Sequence, residues 1–308
     1  MGRFLIKIVG LLALGFSMSP ALAFAATNPA LDSGNGTNTS FNWSGYVATS
    51  GSYTGVSGSW TVPSVTPSTN AQADATWVGI GGVSSSDLIQ VGTQAITQNG
   101  TVSYEAWYEL LPAVSIPVAV TVHAGDSITA SLEQIQTGEW DVSIRDTTTG
   151  QSYLTTVSYA SALSSAEWIE EMPSDQSGFI PLDSFGSVSF TNASAVDNGT
   201  TMTPTQANAV SLTMLANTQQ ALAVPSALGS DGASFTVSRT TVTSDVTPRA
   251  VSPDGRGGFR RGGGGLSNYR QHQQTVTVIR QSFGFRSNGW VLQLQRGQFA
   301  RMFRSYAR

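Results

Sequence analysis

The chain has 308 residues, 32 glycines, no cysteine and a formal net charge of −4. Without cysteine there is no disulfide framework, no thiolate nucleophile and no cysteine-ligated metal site, yet the length suffices to bury a sizeable core. The charge is unevenly spread: Ala26–Pro248 carries 18 acidic residues against Arg145 and Arg239, whereas the stretch from Arg249 onward carries 11 arginines against Asp254.

The first predicted element is a targeting signal. Arg3 and Lys7 accompany the short apolar run Ile8–Phe16, and Ala21-Leu22-Ala23 and Ala23-Phe24-Ala25 both fit a small-x-small cleavage site. The apolar run is too short for a comfortable transmembrane helix. Residues 1–25 are therefore expected to direct export, leaving a secreted protein with no stable membrane association. Residues 26–40 are small and polar and read as a flexible leader or a short prosegment.

From Phe41 to Pro248 short runs rich in Val, Thr, Tyr, Trp and Ile recur between Gly, Pro, Ser and Asn. In chain order the spacing predicts strands at Gly45–Thr49, Gly58–Val62, Thr76–Ile80, Asp87–Gly92, Val102–Leu110, Val118–His123 and Asp126–Leu132. It predicts more at Trp140–Asp146, Ser152–Ser158, Ala166–Glu171, Gly186–Phe190, Val210–Leu215 and Ser234–Val237. That rhythm indicates an all-β sandwich or barrel, and no helical period competes with it. Residues 249–308 form an Arg/Gly-rich basic tail of low complexity, expected to be disordered. Its Arg-Gly-Gly texture is of the kind that binds nucleic acid, but export argues against such a partner. So acidic a body repels itself at neutral pH and is relieved as its carboxylates protonate, although the same charge also serves plain solubility.

Several chemistries lack their residues. The two histidines, His123 and His272, sit near no Gly-x-Ser-x-Gly elbow, and no cluster of His and acidic residues has metal-ligand spacing. In a hydrolase built from this chain, carboxylates must move the protons. The strand period of two places Glu105, Trp107 and Glu109 on one face, and Glu167, Ile169 and Glu171 on another. Carboxylates beside a large aromatic are costly to bury, so these faces line either a cleft or a solvated surface. Gln90, in Leu88-Ile89-Gln90-Val91-Gly92, is an amide in an apolar strand; it either bridges strands or serves chemistry.

Taken in order, these segments resemble the glutamic peptidases called eqolisins, peptidase family G1. The resemblance runs through Asn42-Trp43-Ser44-Gly45-Tyr46-Val47, Val62-Pro63, Thr76-Trp77-Val78-Gly79-Ile80-Gly81-Gly82 and Leu88-Ile89-Gln90-Val91-Gly92. It continues through Tyr104-Glu105-Ala106-Trp107-Tyr108-Glu109, Ala166-Glu167-Trp168-Ile169-Glu170-Glu171 and Pro181–Phe190. It implies a concanavalin-like β-sandwich of two large antiparallel sheets over residues 41–248, one sheet curved to form a substrate cleft. It implies an acid endopeptidase in which Gln90 and Glu171 are catalytic, with Trp43, Trp77, Glu105, Trp107 and Glu109 lining or supporting the cleft. Family members often carry aspartate at the position of Glu105. No metal or cofactor is implied; the expected partner is a peptide or protein substrate, and the expected state is a monomer. A β-sandwich glycoside hydrolase built on Glu105 and Glu109, or a carbohydrate-binding or adhesion domain, are the competing readings.

Overall fold

The structure, a computed structural model, describes residues 38–241 apart from 176–177 and 218–219. The export signal, all but the last three residues of the leader, and the basic tail lie outside the described residues. Within them the chain forms eighteen strands and no helix. The first six are β1 (Asn38–Ser40), β2 (Trp43–Ala48), β3 (Tyr53–Thr61), β4 (Gln72–Gly81), β5 (Leu88–Gln98) and β6 (Thr101–Leu110). Next come β7 (Ile116–Pro117), β8 (Ser127–Gln136), β9 (Glu139–Asp146), β10 (Ser152–Ser158), β11 (Ala166–Glu171) and β12 (Ser174–Asp175). The last are β13 (Gly178–Phe179), β14 (Ser187–Asp197), β15 (Thr200–Met202), β16 (Val210–Asn217), β17 (Gln220–Pro225) and β18 (Phe235–Arg239).

The long strands join in one hydrogen-bonded order, β10-β9-β8-β3-β14-β18-β17-β16-β2-β11-β4-β5-β6-β7. All pairings along it are antiparallel, while β1 adds to β16 in parallel. The order doubles back so that β3, β8, β9, β14 and β18 pack face to face on β2, β4, β5 and β11. The architecture is thus a β-sandwich, as expected, but its two layers are one ladder joined through β16, β17 and β18.

The outer layer alternates as a half-solvated sheet should. In β8, Ile128, Ala130 and Leu132 are buried while Ser127 and Thr129 are exposed. Each large apolar side chain so removed from water contributes about 1.5–3 kcal/mol. The inner layer behaves differently. Every residue of β2 and β11, and nearly every residue of β4, is buried. One face of these strands belongs to the main core through Tyr46, Val78, Ile80, Val91 and Trp168. The other forms a second, smaller cluster around Trp43, Trp77, Trp107, Ile169 and Leu212. A sheet buried on both faces yet carrying glutamines and glutamates among the tryptophans of the second face holds the residues singled out in the sequence.

Many predicted strands lengthen, β17 and several two- or three-residue strands have no counterpart among the predicted ones, and two readings change in kind. Asn38–Ser40, read as leader, forms β1 and pairs with Leu212–Met214. His123 is not in a strand; Val118–His123 is an irregular connection, and exposed His123 sits 3.4 Å from an Asp126 carboxylate oxygen.

Candidate active site

The second face is organised in rows. Gln90 stands opposite Gly79 on β4 and Glu109 on β6, with Glu167 beyond Gly79 on β11. The next row carries Ile169, Trp77, Gly92 and Trp107. The third carries Trp43, Glu171, Ala75, Gln94 and Glu105. All seven residues singled out in the sequence share this face. Gln90 and Glu171 are separated by β4 and offset by four residues, so one glutamine and one carboxylate flank the central tryptophan row.

Glu171 is 1% exposed and is held by two neutral donors. Asn42 Nδ2 donates to its Oε1 at 3.0 Å and Trp77 Nε1 to its Oε2 at 2.8 Å. The Trp43 ring packs edge-on against Trp77, centroids 5.0 Å apart and planes at 78°. Its own N–H attracts the carboxylate from outside hydrogen-bond geometry. Burial outweighs these donors and pushes Glu171 up to about 7. Asn42 is itself aimed by β1: the Ser40 hydroxyl donates to Asn42 Oδ1 at 3.1 Å and accepts the Asn42 and Trp43 main-chain N–H groups.

The reach of Trp77 depends on two glycines. A Cβ on Gly79 would lie 2.7 Å from the Trp77 six-membered ring, and one on Gly92 would lie 2.5 Å from its Cβ. Bare backbone at both neighbouring positions lets the indole lie along the sheet with its N–H directed at Glu171.

Gln90, also 1% exposed, donates from Nε2 to Glu109 Oε2 at 2.6 Å, and its Oε1 takes no hydrogen bond. Four residues along β5, Gln94 repeats the motif, donating from Nε2 to Glu105 Oε2 at 2.7 Å. Glu167 is fully buried and burial holds its carboxyl well above the usual range. Among the described residues no three His, Cys, Asp or Glu side chains are grouped to hold a metal ion.

The structure therefore assembles the predicted residues into three groups: Trp43, Trp77 and Glu171, with Trp107 in the same apolar cluster; Gln90 and Glu109; and Glu105 with Gln94. It does not bring Gln90 to Glu171, which stand two strands and four residues apart across the Trp77 row, whereas Glu167 lies in Gln90's own row. Sequence reasoning missed Ser40, Asn42 and Gln94. Gln94 had a readable signal, its spacing of four from Gln90 on one strand face, and Asn42 lies beside Trp43 in a motif already singled out. A glycosidase-type pair at Glu105 and Glu109 fits poorly, because each carboxylate is tied to its own glutamine.

Comparison with known proteins gives one consistent answer. Residues 41–239 match the Peptidase A4 family. Aspergillopepsin-2 of Aspergillus niger is 31% identical over 198 residues, covering 56% of this chain and 70% of that protein. A solved structure of scytalido-glutamic peptidase with a transition state analog inhibitor superposes with a TM-score of 0.57 at 26% identity, covering 65% of this chain and 98% of the other. A structure of SCP-B, described as a member of the eqolisin family in complex with the tripeptide Ala-Ile-His, matches at TM-score 0.55 and 25% identity over the same shares. With its two-layered body matched almost throughout, this chain belongs to the Peptidase A4 family, the eqolisins or glutamic peptidases, and is a hydrolase acting on peptide bonds.

Proposed function

We propose that the chain is a secreted acid endopeptidase in which Glu171 is the general base and Gln90 the oxyanion stabiliser, acting on a water nucleophile. The observation that carries this reading is the setting of Glu171. A buried carboxylate fixed by neutral N–H donors and raised in pKa, on the same face as a clamped glutamine, is poised to exchange a proton. Ionised Glu171 takes a proton from water as the water oxygen bonds to the scissile carbonyl carbon. The carbonyl electron pair moves onto oxygen.

Gln90 has two amide hydrogens and commits one to Glu109. The second is free for a developing oxyanion, and Gln90 and Glu171 meet at one scissile bond only if substrate binding closes the two strands and four residues between them. Glu109 thus sets the orientation of Gln90 before substrate arrives. As the tetrahedral intermediate collapses, the C–N bond breaks and protonated Glu171 returns its proton to the leaving amine. The tripeptide and transition-state-analog complexes of the relatives support a peptide substrate. Residues 1–25 act as the export signal, so N-terminal sequencing of the mature protein should begin beyond Ala23.

The test is hydrolysis of casein and a peptide by purified Glu171→Gln and Gln90→Ala proteins in acid. Each should lose at least about a hundredfold in kcat, the usual scale for a general base or an oxyanion donor. Full activity in either variant rejects the pair.

A further inference from the structure

Three further carboxyls lie behind the site, on the core side of the same strands, where the hydrolytic chemistry makes no use of them. Asp74 on β4, Glu170 on β11 and Asp183 in the segment after β13 are 2%, 0% and 0% exposed. Each is placed by backbone. Glu170 is the register partner of Thr76, two residues from Asp74 on the same face of β4. The 181–183 segment is bound to β4 by Ala73 N–H to Pro181 O at 3.0 Å and Asp183 N–H to Ala73 O at 3.3 Å.

Their hydrogen bonds leave oxygens without donors. Asp74 Oδ1 accepts the Ala95 main-chain N–H at 3.0 Å, and Glu170 Oε2 accepts the Thr76 hydroxyl at 2.7 Å. The remaining oxygens, Asp74 Oδ2 and Glu170 Oε1, have no hydrogen-bond donor, and each carboxyl lies within electrostatic reach of the other. Ionised together they would face each other without a donor between them, and a proton on either carboxyl relieves this. Asp183 couples to the same pair, and neither of its carboxyl oxygens has a partner. The charged and titratable groups facing the cluster are few. β4 and β11 supply Asp74 and Glu170, the 181–183 segment supplies Asp183, and β18 supplies Arg239. Arg239 gives Nε to the Asp183 main-chain carbonyl and Nη1 to the Leu222 and Thr240 carbonyls. Its attraction for the Asp183 carboxyl is weaker than the cost of burial.

We propose that Asp74, Glu170 and Asp183 form a proton-held latch behind the catalytic face: protonated, they tie β4, β11 and the 181–183 segment together, and stripped of their protons they drive these apart and disperse the site. The leverage is direct. Ala75, next to Asp74, is the register partner of Glu171, and Glu170 precedes Glu171 on the same strand. Separation of β4 from β11 pulls Trp77 away from the carboxylate it serves. The inference extends the acid-working part of the reading above, but it is read out by folding, so its failure and that of the catalytic pair are distinguishable.

The sign follows from burial. Desolvation, together with mutual repulsion for Glu170 and Asp183, raises all three carboxyls above their unfolded values. A group of this kind contributes stability that is complete below about pH 4, the ordinary Asp and Glu range. That stability is lost as pH rises toward the folded value, because unfolding then releases protons.

Urea unfolding of the full chain, followed by tryptophan fluorescence between pH 4 and 8, tests the latch. In the parent the folding constant should fall about tenfold per pH unit for each proton released. The double variant Asp74→Asn/Glu170→Gln, and separately Asp183→Asn, should show a shallower fall, while Glu133→Gln at an exposed position on β8 should keep the parental slope. A parental slope in the double variant overturns the proposal, as does equal flattening by Glu133→Gln. If the double variant does not fold, native-state hydrogen exchange on the parent decides, after correction for the intrinsic pH dependence of exchange. Loss of protection between pH 4 and 7 concentrated in β4, β11 and residues 181–183 supports the latch, and a uniform loss or none rejects it.

Discussion

Both hydrogen-bond donors to Glu171 are neutral, an amide and an indole, and this decides how the residue titrates. A cation at either place would stabilise the ionised form strongly and pull the carboxyl down; these donors only moderate a desolvation that carries it to about 7. Trp77→Phe keeps the ring and removes the N–H. A hydrogen bond to a charged group is worth about 1.5–3 kcal/mol, and one pKa unit about 1.4 kcal/mol. Glu171 should therefore titrate roughly one unit higher, moving the acid limb of kcat/KM to higher pH; an unmoved limb would mean that another group sets it. The same raised value has a stability consequence. A carboxyl with an elevated folded pKa stabilises the fold fully only below its unfolded value and loses that contribution as pH climbs through about 7. Glu171→Gln should thus be inactive yet more stable than the parent at neutral pH, by up to about 3 kcal/mol, measured by urea unfolding at pH 4 and 7.5. A variant no more stable at 7.5 than at 4, relative to parent, would contradict the assigned pKa direction.

At the scale of strands, the site depends on which side chains are absent. Gly79 and Gly92 flank Trp77 so closely that added methyl groups would meet its ring or its Cβ well inside contact distance. Gly79→Ala should tilt the indole off Glu171. We expect a loss of kcat comparable to that of Trp77→Phe together with overpacking destabilisation of about 1–3 kcal/mol; unchanged kcat would show that the indole has room to shift. Here also lies the division between what could and could not be read beforehand. The period of two put Glu105, Trp107 and Glu109 on one face and Glu167, Ile169 and Glu171 on another, and both faces stand as read. What no local pattern carries is that β11 inserts between β2 and β4, bringing Glu171 to Trp77 and Asn42 from 94 and 129 residues away. Asn38–Ser40 read as leader because its composition is polar, but its value lies in a parallel pairing with β16 that presents Ser40 to Asn42. Val118–His123 has strand-like composition without a partner strand, so its apolar residues Val120 and Val122 are buried from an irregular path.

For the whole molecule, two separate electrostatic loads oppose neutral pH. One is spread over the surface, where the acidic residues of the body that lie outside the core, opposed only by Arg145 and Arg239, repel one another once ionised. The other is buried: Asp74, Glu170 and Asp183, and with them Glu167 and Glu171, whose ionised forms lack both water and a sufficient counter-charge. Salt distinguishes them. At about 1 M the screening length falls to roughly 3 Å, which removes most repulsion between exposed charges but leaves buried ones almost untouched. Stability lost between pH 4 and 7.5 should therefore return only in part when sodium chloride is raised from about 0.05 to 1 M, and the unrecovered part should shrink in Asp74→Asn/Glu170→Gln to the share of Glu167, Glu171 and Asp183. Melting temperatures of parent and variant at both pH values and both salt concentrations measure this. Complete recovery of the parent by salt would assign the whole effect to the surface. Partial recovery would make the working range a product of two opposed titrations: Glu171 gains its catalytic form as pH rises, while the strands that hold it lose the protons that keep them together.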